Sequence, residues 1–146
     1  MSLHVLPDAT RAARMTTAEL RASFLVQGLF QPGAITLRRI DLDRLVLGGA
    51  VPTGTPLTLE PPADLLASFF CERRELGVLN IGGAGSVSVD GVAFVLARRD
   101  LVYVSRGSRE VVFASDDATN PARFYLVSYP AHADHPTALW TPAACT

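Results

Sequence analysis

The sequence predicts an all-β domain, a jelly-roll β-sandwich or barrel with a short helix on its N-terminal side. Roughly ten short apolar segments follow one another at close spacing, with glycine, proline, asparagine and aspartate between them. Ser86 to Val89 alternate polar and apolar side chains, and they end at Asp90-Gly91, the strongest short hairpin signal. This spacing is typical of a sandwich or barrel and not of alternating β and α units.

The first 23 residues predict an arm and one short helix. Residues 1–15 include Pro7 and show no sustained periodicity. Thr16-Thr17-Ala18-Glu19 fits the capping-box pattern, in which threonine and glutamate side chains satisfy free backbone N–H groups at the start of a helix. We therefore expect a helix from about Thr17 to Ser23.

Residues 24–129 carry strand signals and are expected to form the jelly roll. Turn residues separate the early strands at Gln31-Pro32-Gly33, at Gly48-Gly49 and at Val51-Pro52-Thr53-Gly54. The strands predicted before residue 60 are Phe24–Phe30, Ile35–Ile40, Arg44–Leu47 and Leu57–Leu59. Those predicted after residue 91 are Val92–Leu96, Leu101–Val104, Val111–Ala114 and Phe124–Ser128.

The stretch from Phe69 to Gly91 is the centre of this pattern. An apolar run, four charged residues and a glycine-rich run, Gly82-Gly83-Ala84-Gly85, meet within it. The pattern predicts two strands, a glycine bend, a third strand and a two-residue hairpin turn with positive φ at Asp90 and Gly91. Its alternation places four side chains in the interior: Phe69, Cys71, Leu76 and Ile81.

Residues 130–146 are predicted to be an irregular tail. They contain three prolines, the single tryptophan, and the histidines His132 and His135. Two histidines in a proline-flanked tail do not make a metal site by themselves, since a metal needs three or four convergent ligands. A solvated tail or a domain-contact segment is the better interpretation.

Composition excludes several classes of function. The net charge of the 146 residues is −1, with both signs well mixed, so no nucleic-acid partner is expected. All 13 basic residues are arginine, which excludes lysine Schiff-base chemistry.

Cys71 and Cys145 do not form a disulfide framework. No apolar run reaches membrane-spanning length and no signal-peptide core is present, so a cytoplasmic protein without a membrane partner is expected.

The spacing of small metal-binding cupins fits this chain, but the ligand residues of that frame are absent. Phe69 and Cys71 occupy the two histidine positions, Glu75 or Leu76 the glutamate position, and Glu110 the distant histidine position. Phenylalanine and leucine cannot ligate a metal, and the remaining residues are a poor set. The sequence therefore predicts a cupin-like jelly roll with no metal site and no catalytic residue.

Charged residues near the centre offer a possible binding site. Arginine guanidinium groups match carboxylates, so Arg73 and Arg74 could hold a sugar acid, with Arg109 as a third contact. The structural alternative is that these charges, with Glu75, pair across strands or at a subunit contact. We take Arg73, Arg74, Glu75, Arg109 and His132 as the binding candidates. The glycine run lacks the helix and the Lys-Ser/Thr pair of a phosphate loop.

The chain also resembles a known family, the 5-keto-4-deoxyuronate isomerases (4-deoxy-L-threo-5-hexosulose-uronate ketol-isomerases). Coverage runs from about residue 20 to the end, and the specific motif is E-R-R-E-L-G-V-L-N-I-G-G-A-G, residues 72–85. Supporting runs are R-L-V-L-G-G at 44–49, R-D-L-V-Y-V at 99–104, R-E-V-V-F-A-S at 109–115, P-A-R-F-Y at 121–125 and P-A-H at 130–132.

The resemblance implies a two-domain bicupin that interconverts ketose and aldose forms of a deoxy uronic acid in pectin breakdown. In that family the zinc ligands belong to the second cupin domain, which this chain does not include. The resemblance thus implies the amino-terminal, metal-less domain, with a structural or site-wall role. Its expected partners are the second cupin domain or same-type subunits in a homo-oligomer, and the full enzyme takes a uronic-acid-type small molecule. Two alternatives stay open: a non-catalytic sugar-acid-binding or scaffold cupin module, and a relative of 5-deoxyglucuronate isomerase.

Overall fold

A computed structural model describes residue 1 and residues 3–145 and shows two packed β-sheets. Two helices precede most of the strands, α1 (Ala9–Ala12) and α2 (Thr17–Phe24), and 3-10 turns cover Ala63–Leu65 and Pro142–Cys145. The strands of the described residues are β1 (Leu3–His4), β2 (Ile35–Ile40), β3 (Val46–Ala50), β4 (Leu57–Thr58), β5 (Arg74–Asn80), β6 (Gly85–Val89), β7 (Val92–Leu96), β8 (Leu101–Val104), β9 (Val111–Ser115), β10 (Phe124–Pro130) and β11 (Ala138–Trp140).

The two sheets form the predicted jelly-roll β-sandwich, which confirms the all-β fold class. One sheet has the order β1-β2-β3-β10-β5-β8-β11 and the other the order β4-β9-β6-β7. All pairs are antiparallel except β1 with β2. None of the helices in the described part of the chain is long and apolar enough to cross a membrane.

The core lies between the sheets because inward side chains alternate with outward ones along each strand. In β5 the buried positions are every second residue from Arg74 to Asn80, as a half-buried strand requires. Phe113 of the smaller sheet and Phe124 of the larger sheet meet across the core, with ring centroids 5.4 Å apart. Both rings are fully buried, so this contact joins the two sheets at the centre of the domain.

Two local predictions are confirmed in detail. Thr16 caps α2, and the side chain of Glu19 returns a hydrogen bond to the Thr16 backbone, which completes the capping box. Asp90 and Gly91 form the two-residue turn between β6 and β7, with φ of 49° and 83°. The Asp90 carboxylate also accepts the backbone N–H groups of Arg109 and Glu110, both at 2.9 Å, and so ties the hairpin to the next loop.

Several predicted boundaries were wrong. Phe24 ends α2, and residues 25–34 form no strand, since Gly28 turns the chain with φ of 73°. Gly48 and Gly49 lie inside β3 and not in a turn. A Cβ at Gly49 would stand 2.4 Å from the carbonyl oxygen of Leu29, so glycine permits the segment after α2 to lie against the sheet.

The chain ends are more ordered than the sequence predicts. The arm contains β1 and α1, and the tail contains β11 and a 3-10 turn, where irregular structure was predicted. β11 pairs with β8, because Ala138 to Trp140 are three residues free of proline in a segment that proline otherwise interrupts. Ser2 and Thr146, which the predicted arm and tail include, lie outside the described residues.

The predicted interior is right at two of four positions. Cys71 and Leu76 are fully buried. Phe69 is only half-buried, and Phe70 enters the core in its place. Ile81 is 38% exposed, because β5 ends at Asn80 and the chain then bends, which breaks the alternation that the prediction extended. The central stretch therefore holds one strand before the glycine bend, not two.

Candidate functional site

The four positions of the cupin ligand frame do not fit a zinc ion. Leu76 is fully buried in the core and Phe69 is half-buried, and neither side chain has a donor atom. Cys71 is fully buried, and burial raises the pKa of its thiol to about 12, which disfavours the thiolate that a metal needs. Glu110 is exposed. These side chains supply no zinc chemistry, so no reaction step is assigned to them.

The five predicted binding residues lie in three separate places. Arg73 and Arg74 line a cavity between β1, β2 and the start of β5. Glu75 and His132 line a smaller cavity of about 150 Å³ on the outer side of the seven-stranded sheet. Arg109 lies elsewhere, with its guanidinium carbon 5.2 Å from the centre of the Phe69 ring. Arg109 is thus not among the residues that line the cavity of Arg73 and Arg74.

Arg74 is the most constrained of these residues. Its exposed fraction is 8%, since it occupies the first inward position of β5. Nε donates to Ser128 Oγ at 3.0 Å, and Nη2 donates to the carbonyl oxygens of Arg44 and Ser128, both at 2.8 Å. Burial lowers the pKa of the guanidinium from its usual value. Arg74 thus joins β5 to β10 and to the turn before β3.

The cavity beside Arg74 has a volume of about 370 Å³. Its charged walls are four arginines and two aspartates, a net formal charge of +2: Arg39, Arg44, Arg73, Arg74, Asp41 and Asp64. Asp64 pairs with Arg39 at 3.7 Å and with the amino group of Met1 at 3.6 Å. Sequence reasoning missed Arg44, which is distant in sequence and sits with Asp43 in a left-handed turn between β2 and β3.

Glu75 belongs to a second cluster, on the outer face of the seven-stranded sheet. Tyr103 Oη donates a hydrogen bond to Glu75 Oε2 at 2.9 Å. Burial, followed by this hydrogen bond and the carboxylate charge, raises the pKa of Tyr103 to about 12. The ring of His135 meets that of Tyr103 edge-on, with centroids 6.4 Å apart. Trp140 extends the same groove, which is largely apolar.

Beyond that cluster, the outer face of the seven-stranded sheet is apolar and aromatic. In β10 the outward residues are Tyr125, Val127 and Tyr129, while Ser128 points inward and is 1% exposed. This reverses the usual pattern of a sheet with one solvated face, where polar residues point outward. Cross-strand register places further apolar residues on the same face: Leu47, Leu79, Leu101 and Trp140.

Asn80 is a structural residue that the sequence analysis did not single out. It is fully buried at the end of β5. Its Nδ2 donates to the carbonyl oxygens of Gly83 and Leu96, and its Oδ1 accepts the N–H groups of Gly82 and Arg123. One side chain thus fixes the glycine bend and the two chain segments beside it. The sequence did offer one signal for Asn80, which is its position inside the 72–85 motif that the chain shares with the resembled family.

The fold and the site define a cupin-type β domain. The cupin domain of Schizosaccharomyces pombe Cnp3 superposes on this structure with a TM-score of 0.51, covering 72% of this chain and 70% of that one at 13% identity, which shows the shared fold. The sequence matches the KduI/IolB family over residues 47–146, and the chain belongs to this family.

Two relatives carry the name 4-deoxy-L-threo-5-hexosulose-uronate ketol-isomerase. The protein from Formosa agariphila is 53% identical over 121 residues, which are 83% of this chain and 43% of the relative. The protein from Lachnoclostridium phytofermentans is 40% identical over 145 residues, which are 99% of this chain and 52% of the relative. The chain therefore spans about half the length of the curated relatives it matches.

Proposed function

We propose that this chain is the amino-terminal, metal-less cupin domain of a uronate ketol-isomerase, which interconverts 5-dehydro-4-deoxy-D-glucuronate with its ketol isomer in uronate and pectin catabolism. Ketol isomerisation needs a base to move a proton between adjacent carbons and a charge to stabilise the enediolate. The residues of the ligand frame in this domain do not supply either. We therefore assign this half a structural role, and the family resemblance implies that the second cupin domain holds the zinc.

The observation that carries this proposal is the apolar outer face of the seven-stranded sheet. Trp140 is 50% exposed and Tyr129 is 36% exposed, and they flank half-buried leucine, valine and tyrosine side chains. Exposed apolar and aromatic side chains on one sheet face favour an interaction surface, because covering them removes apolar area from water. Without a protein partner on this face, the outward side chains of Val127 and Tyr129 in β10 would stay in contact with water.

The second cupin domain of the same enzyme is the partner that we assign to this face. The relatives are about twice as long as this chain, so a further segment of comparable size is available to cover it. The edge strand β11 of this sheet, Ala138–Trp140, contributes Trp140 to the same face. Same-type subunits of a homo-oligomer would then meet on other surfaces of the assembly.

A chimera tests the proposal. The matching segment of the Formosa agariphila ketol-isomerase is replaced by this chain, and ketol isomerisation is measured on the purified protein. We expect the chimera to be active, and we expect Trp140→Arg to lose most activity, because a charge buried in an interface is strongly destabilising. Val95→Arg is the matched control, since Val95 is 67% exposed on the other sheet.

Two results would contradict the proposal. One is a chimera that is folded by circular dichroism but inactive. The other is a Trp140→Arg chimera that keeps as much activity as the Val95→Arg control. If this face instead joined two copies of the same domain, Trp140→Arg would lower the oligomeric state of the isolated chain, which light scattering detects, while chimera activity persisted.

Two other functions remain candidates. A sugar-acid-binding or scaffold module is favoured by one observation, the shared cavity of Arg73 and Arg74. A 5-deoxyglucuronate isomerase relative has less support, since both relatives compared above carry the other name. Assaying the chimera on both uronate substrates separates the two isomerases, and a direct binding measurement on the chain alone tests the module.

A further inference from the structure

Arg74 carries a buried positive charge that no carboxylate in the described part of the chain neutralises. Its three hydrogen bonds go to a hydroxyl and to two backbone carbonyls, and all three acceptors are uncharged. Its Nη1 makes no hydrogen bond with the described residues, although the side chain is only 8% exposed. A buried ion without a counter-charge is costly, since hydrogen bonds to neutral groups replace only part of the solvation that water provides.

The cavity that Arg74 lines has more unpaired positive than negative charge. Within the described residues, the Arg44 side chain makes no ion pair, and Arg73 is paired only with Glu72 at 3.5 Å while 75% of its side chain is exposed. Asp64 is already held by Arg39 and the Met1 amino group. The guanidinium groups of Arg44, Arg73 and Arg74 are therefore the ones left for a ligand.

We propose that this cavity binds the carboxylate of a small polyhydroxy acid, with Arg74 and Arg44 as its charge partners and Arg73 at the mouth. Guanidinium groups donate paired N–H groups in the geometry that a carboxylate accepts. The Asp41 carboxylate, which has no ion pair among the described residues, is placed to accept hydrogen bonds from ligand hydroxyl groups.

Size and wall chemistry favour a carboxylate that carries several hydroxyl groups. The volume of about 370 Å³ falls within the range of small-molecule sites, roughly 300–1,000 Å³. The net +2 charge of the walls attracts an anion, while the Asp41 carboxylate can only accept hydrogen bonds, which a ligand with several hydroxyl donors satisfies better than phosphate does. Phe70 and Leu65 supply an apolar wall for the carbon skeleton.

This site develops the second candidate function, the sugar-acid-binding module, and does not depend on the isomerase proposal, because none of its residues belongs to the apolar sheet face. The isolated chain is therefore titrated by calorimetry with three probes: D-glucuronate, D-glucose and inorganic phosphate. We expect saturable binding of D-glucuronate, no measurable binding of D-glucose, and weaker binding of phosphate.

Variants locate the binding. Arg44→Gln and Arg73→Gln each remove one exposed charge from the cavity and should raise the D-glucuronate Kd about tenfold, the loss expected for one charge-assisted hydrogen bond. Arg109→Gln removes the same charge outside the cavity, beside Phe69, and should leave Kd unchanged. Circular dichroism of each variant verifies the fold, and Arg73→Gln keeps the test informative if Arg44→Gln does not fold.

Four results would overturn the proposal. They are the absence of saturable D-glucuronate binding, equal binding of D-glucose, tighter binding of phosphate than of D-glucuronate, and equal Kd values for Arg73→Gln and Arg109→Gln. Isomerase activity of the chimera tests only the proposed function, and D-glucuronate binding by the isolated chain tests only this site. Either proposal can therefore fail while the other stands.

Discussion

Replacing Asn80 with leucine should destabilise the domain strongly while changing its volume little. Asn80 is fully buried, and its amide makes four hydrogen bonds to backbone groups of the glycine bend, β7 and the segment before β10. Leucine can make none of them. The substitution therefore removes a hydrogen-bond partner from each of two carbonyl and two N–H groups.

The expected size of the effect follows from where those groups lie. The bonds of Asn80 to Gly82, Gly83 and Arg123 are partly buried, and these three residues line a surface cleft that water can enter, so each lost bond costs about 1 kcal/mol. The Leu96 carbonyl is buried with Asn80, and Leu96 is also paired with Gly85 between β6 and β7, so losing its bond to Asn80 costs about 1 kcal/mol as well. The sum, about 4 kcal/mol, is a large part of a typical domain stability of roughly 5–15 kcal/mol.

Urea unfolding followed by circular dichroism measures this loss as a shift in the free energy of unfolding. Asn120→Leu is the matched control, since Asn120 is exposed in the neighbouring loop, and it should stay within about 0.5 kcal/mol of the parent. A loss below about 1 kcal/mol for Asn80→Leu would refute the reasoning, because it would mean that the bend keeps its hydrogen bonds without this amide.

Further predictions concern the hairpin, the cysteines and the helix cap. Gly91→Val should lower the free energy of unfolding by about 1–3 kcal/mol in a thermal melt, because Gly91 has φ of 83° and a β-branched residue is strained there; an unchanged melt would remove the claim. A thiol reagent at pH 8 should label one cysteine in the native protein and two in urea, since Cys145 is exposed and Cys71 is buried. Burial raises the Cys71 pKa from 9.0 to about 12, so the unfolded chain loses this proton first and stability should fall as pH rises between these values; a Cys71→Ala variant should lose this part of the pH dependence. Thr16→Ala should cost about 1 kcal/mol in urea unfolding, whereas Thr10→Ala, outside any cap, should cost less.

The fold was predictable wherever the determining interactions are local in sequence. The capping box at Thr16 and Glu19 and the turn at Asp90-Gly91 each lie within four residues, and the structure confirms both. Alternation in β5 correctly predicted the burial of Leu76. It failed at Ile81, since the strand ends where Asn80 binds the glycine bend, a contact that involves residues up to 43 positions away.

The candidate site was less predictable, because its parts come from distant segments. Arg73 and Arg74 are adjacent in sequence and line the same cavity, but only Arg74, the first residue of β5, is buried, whereas Arg73 is exposed. Arg44, 30 positions away, is brought to the same cavity by the turn before β3, and no local pattern indicates this. Glu75 was predicted as a binding residue together with the arginines, yet it lies on the outer face of the sheet, where its carboxylate accepts a hydrogen bond from Tyr103.

The central claim, that this domain does not itself perform the metal-dependent step, is tested most directly on the isolated chain. Zinc is measured by elemental analysis after dialysis, and ketol isomerisation is assayed on the unsaturated-uronate product with the full-length Formosa agariphila relative as a positive control. We expect no stoichiometric zinc and no turnover, because the frame positions, Phe69, Cys71, Leu76 or Glu75, and Glu110, do not make a ligand set. Zinc retained at one equivalent, or turnover that a chelator abolishes, would contradict this claim and would direct attention to His132 and His135, completed by a neighbouring subunit.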